Sequence, residues 1–276
     1  MNAPITVHAD RGAFWRALAM ELYRAVCSTR FLLGVLIMLV WALFNSAESV
    51  KTYDHAIFAS VVQLIRLGVD GRESIGPVLL AISTIPYAFS YLTEKEYGFA
   101  QQAVKRIGVM TYGICKAIAT FASAFLMGAT ALWVFIGILS VLGIPHTVRY
   151  GEVEHTYAVL AATIGPGWYY AAKSILVGFV CGQAALFSLM IMSWIPNSYV
   201  GFLSPLIGYY TARCVLGLLT RIAPSPFWNL VSPMQLFFGQ PLPDIGFSYL
   251  WTVLVLTALS VFFGIRFLLR LGEEYM

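Results

Sequence analysis

Six stretches of the chain are apolar over a length that approaches or reaches a bilayer crossing: 31–44, 75–92, 117–142, 168–194, 199–219 and 249–269. A hydrocarbon core of ~30 Å takes about 20 residues of α-helix, the form that satisfies its own backbone hydrogen bonds in lipid. The first stretch is short, so its helix is expected to start a turn earlier, near Cys27, or to run a little past Asn45. The fourth could begin at Tyr157, but Gly165-Pro166-Gly167 interrupts it, and 157–164 reads as a separate short segment at the outer surface. With no internal repeat and no low-complexity linker, the pattern predicts one all-α integral membrane domain over 1–276, with six transmembrane helices.

Two further segments carry distinctive patterns. Over 12–30, at 100° per residue, Phe14, Trp15, Leu18, Leu22, Ala25 and Val26 share a face while Arg16, Tyr23 and Arg24 lie opposite. Such a lead predicts an amphipathic helix lying in the membrane interface, its arginines toward the headgroups, rather than the first turns of a tilted span. Before the last span, 221–247 is rich in proline and aromatics and carries only Arg221 and Asp244 as charges. Proline breaks it too often for a crossing, and it is too apolar for a free aqueous loop. It is therefore predicted to re-enter the outer leaflet.

Composition agrees with lipid as the main solvent. Hydrophobic residues make up 59% of the 276 and charged residues 11%, with a mean hydropathy of +0.79; a soluble domain carries roughly 25% charged residues. Charge then sets the orientation. With the N-terminus inside, cytoplasmic segments hold ten of the 17 Lys and Arg, outer segments hold five, and Lys173 and Arg213 fall within spans. That bias predicts both termini in the cytoplasm. The net charge of +4 thus speaks of topology rather than nucleic acid. The four cysteines read as small buried hydrophobes, not a disulfide framework, and no cleavable signal peptide is evident.

Signatures of an enzyme are missing. The sequence has no GxxxxGK[ST] and no HExxH, no serine in a nucleophile elbow, and no carboxylate or histidine pair at span depth. His146, Glu152, Glu154 and His155 share an outer loop but lack metal-ligand spacing, so a solvated loop is the reading there and no metal site is expected. The polar groups at depth are Lys173, Gln183 and Arg213. Lys173, near an outer end, is expected to snorkel to the headgroups; Arg213 and Gln183 are candidates for a pathway or for helix pairing. Small residues recur every fourth position at Ser174, Gly178, Gly182 and again at Ser204, Gly208, Ala212, which predicts close helix packing.

The inner loop 93–116 is the most informative stretch. It opens with Glu94-Lys95-Glu96-Tyr97-Gly98-Phe99 at the end of a span, continues as a short amphipathic helix, and turns at a basic corner, Lys105-Arg106-Ile107-Gly108, before Tyr112 and Lys116 lead into the next span. Lysine and arginine suit an ordinary inner loop, but Glu94 and Glu96 do little for topology. This order of features resembles the permease subunits of type-2 ABC transporters: interfacial lead helix, Glu-x-Glu-x-Gly stretch, basic corner, Tyr/Lys entry to the third span, and re-entrant loop before the sixth. The resemblance covers the architecture of the whole chain, and its most specific residues lie at 94–98 and 105–116.

The resemblance implies a bacterial plasma-membrane exporter subunit without its own ATPase site. Separate ABC ATPases, holding ATP and Mg, would dock on the inner loop and on the lead helix (Phe14, Trp15, Arg16, Arg24). A second permease chain, identical or related, would complete the pathway, and membrane lipids would surround it. Glu94 and Glu96 would supply polar contact with the ATPase, Tyr97 and Phe99 apolar contact, and Lys95 and Gly98 complete the coupling stretch. Few polar groups at depth suit an amphipathic export substrate such as a peptide, an antibiotic or a lipid. A secondary transporter would need inverted repeats and an intramembrane carboxylate; an integral-membrane enzyme would need converging catalytic groups; a scaffold would need neither.

Overall fold

A computed structural model of the chain describes residues 11–52, 60–65, 68, 78–146, 165–222 and 245–275. Among the described residues there are helices, turns and short connections, and no strand. In chain order the helices are α1 (Arg11–Val26), α2 (Thr29–Thr52), α3 (Val61–Ile65), α4 (Val78–Ile82), α5 (Ser90–Glu96), α6 (Phe99–Ile107), α7 (Val109–Val141), α8 (Pro166–Trp194), α9 (Ser198–Ile222) and α10 (Ile245–Tyr275). Five helical segments are long and apolar enough to cross a membrane, Thr29–Ala47, Val109–Val141, Pro166–Trp194, Ser198–Ile222 and Tyr249–Tyr275. That is the make-up of a membrane-embedded, multi-pass protein.

The lead and the first span are separate helices, as the pattern predicts. Between them the chain bends at Cys27 and Ser28, where Ser28 Oγ accepts from the Phe31 N–H at 3.1 Å and so satisfies a donor at the start of α2. The first span gains length at both ends, starting at Thr29 and running past Asn45. Expected and observed faces of α1 differ. Leu18 and Ala25 are buried and Leu22 packs with Ala25, Tyr87 and Ala119, while Trp15 is 65% exposed and points away from the bundle.

The second predicted span, 75–92, is not one helix. Its described part is α4, turns over 83–89, and α5. Pro86 has no N–H to give, and the helix tightens ahead of it. The N–H groups of Thr84 and Ile85 reach only the third carbonyl back, at Ala81 and Ile82 (both 3.1 Å). Hydroxyls add to this: Ser83 Oγ donates to Leu80 O at 2.6 Å, and Thr84 Oγ1 gives Ala81 O a second donor at 2.8 Å. The proline lies within an apolar run, which is why hydropathy alone predicts a continuous helix. The predicted re-entrant loop and the short segment 157–164 lie, apart from the end of α9 and the start of α10, outside the described residues.

α7 and α8 form the central seam, and the small-residue row predicted on α8 is its groove. A Cβ at Gly182 would stand 2.6 Å from the Phe121 ring and one at Gly178 2.8 Å from the Phe125 ring, so these two phenylalanines occupy the room the glycines leave. Cys181 packs against Gly128 in return, and Phe179 meets Phe121 and Phe125 edge-on at 5.7 and 5.5 Å. The row on α9 works the same way: Gly208 faces Phe187, and Ser188 Oγ donates to Gly201 O at 2.6 Å. α10 closes on α8 through Phe187–Phe263 at 5.1 Å and on α7 where Gly113 meets Leu268 and Leu271. At the far end of the bundle α3 is buried, and Val61 N donates to Pro145 O at 3.0 Å.

Candidate functional site: a buried ionic junction behind an exposed corner

Where α1, α5 and α7 meet, the bundle holds charge in its interior. Lys116, two turns into α7, is fully buried. Its Nζ donates to Glu94 Oε1 at 2.7 Å, to Glu21 Oε2 at 3.1 Å and to the Tyr87 hydroxyl at 3.3 Å. Both carboxylates are further satisfied: Tyr112 OH donates to Glu94 Oε2 at 2.7 Å, and Tyr87 OH donates to Glu21 Oε2. Arg24 closes the group from its exposed rim, its guanidinium 3.4 Å from an oxygen of each glutamate. The Lys116 ammonium also lies over the Tyr87 ring, 4.7 Å from its centroid.

The helical register explains the convergence. Tyr112 and Lys116 are one turn apart on α7, and Glu21 follows Leu18 and precedes Ala25 on the packed face of α1. Two carboxylates meet two cations, so the group is neutral as a whole. That balance is what permits burial, because an uncompensated charge there would cost several kcal/mol. Burial by itself pushes the Glu21 carboxyl up. The Lys116 charge and the hydrogen bonds from Tyr87 and Lys116 outweigh it and hold the carboxyl below its ordinary value. Burial likewise opposes the Arg24 charge, but Tyr87, Glu21 and Glu94 outweigh it and hold the guanidinium above its ordinary value.

Past the junction the chain turns outward. α5 ends at Glu96, and Gly98, at φ +72°, reverses the chain in the left-handed region open to glycine. Tyr97 and Phe99 flank it, 71% and 58% exposed, with ring centroids 6.4 Å apart. Glu96 is exposed beside them. α6 then lies amphipathically, with Ala100 buried, Ala103, Val104 and Ile107 packed on the bundle, and Gln101, Gln102, Lys105 and Arg106 outward. Lys95 turns back to α10 and pairs with Glu274 Oε1 at 2.6 Å, and Tyr91 OH donates to Glu274 Oε2 at 3.2 Å. The corner is therefore braced from two sides, by α7 and α1 through Glu94 and by α10 through Lys95 and Tyr91.

The residues expected to act as one stretch divide. Glu96, Tyr97 and Phe99 face outward, whereas Glu94 is 8% exposed and faces Lys116, Tyr112 and Arg24. Its environment is that of a brace, not of a free contact. On the lead helix, Arg24 joins the junction, and Arg16 is exposed and bonds the Gly12 carbonyl at 3.1 Å; Phe14 and Trp15 stack edge-on at 5.3 Å.

Lys173, expected to snorkel, is instead 3% exposed within the bundle. Gln183 lies about ten residues, or ~15 Å, further along the same helix, half-buried, and Arg213 is half-buried on α9. The three are not brought into one site. His146 has hydroxyls on both ring nitrogens, Tyr170 at 2.8 Å and Ser140 at 3.3 Å, while Glu152, Glu154 and His155 lie outside the described residues. Among the described residues no three His, Cys, Asp or Glu converge as metal ligands, and all four cysteines are free thiols.

Sequence reasoning missed Glu21, Tyr87 and Glu274 altogether and placed Lys116 at a loop entry. A signal existed for Glu21, an acid on the otherwise apolar face of the lead. Fold and site together define an all-helical membrane protein with a braced, solvent-facing corner at one end of the bundle. No protein family, curated protein or solved structure matches the chain.

Proposed function

We propose that the chain is the transmembrane subunit of an ATP-driven ABC exporter, working from a bacterial plasma membrane with both termini in the cytoplasm. In this reading the broken segment 78–96 makes the second of six crossings, and a second permease chain completes the pathway. The observation that carries the proposal is the exposed Glu96-Tyr97-Gly98-Phe99 corner backed by buried ionic bracing. Exposed aromatics beside a carboxylate suit docking to another protein, and a braced corner passes a push to α7, α1 and α10 instead of yielding to it.

The partner would be an ABC ATPase that holds ATP and Mg, with this chain holding neither. Closure of the ATPase pair would press on the corner and the lead helix, tilt the helices against each other and change access to a cavity between two permeases. The cargo class that fits is an amphipathic peptide, antibiotic or lipid leaving the cytoplasm or the membrane, with self-protection as one use.

Reversal of charge in Glu96→Lys tests the proposal. The variant is expected to insert in the membrane and keep its helical content, yet to uncouple ATP hydrolysis from transport in the reconstituted complex. Unchanged coupling with normal assembly would overturn the docking role. A purified chain that moves substrate down an ion gradient, or modifies it, with no ATPase attached would instead assign a secondary transporter or an enzyme.

A further inference from the structure

Trp194, the last residue of α8, carries two arginines on its indole ring. Arg266 and Arg270, one turn apart on α10, have their guanidinium carbons 5.9 and 5.7 Å from it. Arg270 Nη1 donates to Glu273 Oε2 at 2.8 Å. Arg266 is exposed and, among the described residues, makes no hydrogen bond or ion pair, so the indole is what holds its guanidinium. The nearby Glu274 is already taken by Lys95.

These cations stand at a boundary of the molecular surface. Phe262 and Ile265, toward the middle of α10, and Leu269, between the two arginines, are 54%, 49% and 53% exposed; beyond Arg270 the helix turns acidic at Glu273 and Glu274. Apolar surface within a turn of an unneutralised guanidinium fits a molecule that is anionic at one end and fatty at the other. A guanidinium fork matches phosphate oxygens in pairs, and stacking on the indole fixes its plane at little further loss of freedom.

We propose that Trp194, Arg266 and Arg270 form a headgroup site for an anionic phospholipid. Arg266 donates to the phosphate, Arg270 adds charge with the donors that Glu273 leaves open, and the acyl chains lie along Phe262, Ile265 and Leu269. The site concerns the lipid boundary of the bundle and stands whether or not the chain is a permease.

Native mass spectrometry of the full chain, released from neutral detergent containing either phosphatidylglycerol or phosphatidylcholine, tests it. The wild type is expected to retain phosphatidylglycerol selectively. Arg266→Gln should weaken that retention about tenfold without affecting phosphatidylcholine, and Arg266→Lys, which keeps the charge but loses the fork, should lie between. Arg30→Gln, which removes another exposed cation, should leave it unchanged. Equal losses in Arg30→Gln and Arg266→Gln would reduce the effect to general charge and overturn the site, as would retention unaltered by Arg266→Gln. Inorganic phosphate that displaces the lipid at equal concentration would assign a free anion instead.

Discussion

Two parts of the bundle are held together by opposite means. The α7–α8 seam contains no ion pair among the described residues; phenylalanines fill space left by glycines, and its strength is shape. The junction of α1, α5 and α7 is held by two carboxylates, two cations and two tyrosine hydroxyls with little room for rearrangement. A seam built on shape tolerates small shifts at modest cost. A buried ionic junction is close to all-or-none, since the loss of one charged partner leaves another uncompensated. The stiff joint stands directly behind the exposed corner, the place where force would enter under the proposed function.

Replacing Lys116 with Met should break this contrast most sharply. Two glutamates would be left facing each other, with only Arg24 at the rim, and stability should fall by about 3–5 kcal/mol. Thermal unfolding in detergent measures this, and the double variant Lys116→Met with Glu94→Gln should recover much of the loss. At the seam, Gly182→Val drives a branched side chain into Phe121 and should cost about 1–3 kcal/mol, because the ring can shift in part. Tyr112→Phe removes one hydrogen bond to a charged group and should cost about 1.5–3 kcal/mol. Loss of the bond should show separately as faster amide hydrogen exchange where α5 meets α7.

Acid should act on the two joints differently as well. The Glu21 carboxyl is depressed in the folded protein, so its contribution to stability is in place above its unfolded value of about 4.3. It is lost as pH falls through the lower folded value. The α1 junction should therefore loosen in acid while the seam does not, and Glu21→Gln should abolish that difference. Smallest is Lys95→Ala. Both partners of that pair keep about a quarter of their surface, so the loss should be about 0.2–1 kcal/mol, shrinking with added salt.

The seam and the junction also differ in how far they can be read from sequence. Ser174, Gly178 and Gly182 mark the seam because the signal lies on one helix at a fixed period. The separate lead helix was legible from the face of Leu18, Leu22 and Ala25, although Trp15 of the same apolar set points away. The junction joins Glu21, Tyr87, Glu94 and Lys116 from segments as much as 95 residues apart, and no local period records that. Glu94 and Glu96 look alike in the sequence, two residues apart in one charged connection. Only the neighbouring helices decide that one is buried and the other exposed. Continuity of the second span misled for a local reason: the run through Pro86 is apolar, and hydropathy does not register a missing N–H.

Under the proposed function, the outward face of the corner is a docking site for a nucleotide-hydrolysing partner. A photo-crosslinking amino acid at Tyr97, irradiated in native membranes, tests it most directly. The expected product is an adduct with a P-loop ATPase, in an amount comparable to the chain itself and lost in Glu96→Lys; adducts with lipid alone, or with no nucleotide-binding protein, would overturn the docking role.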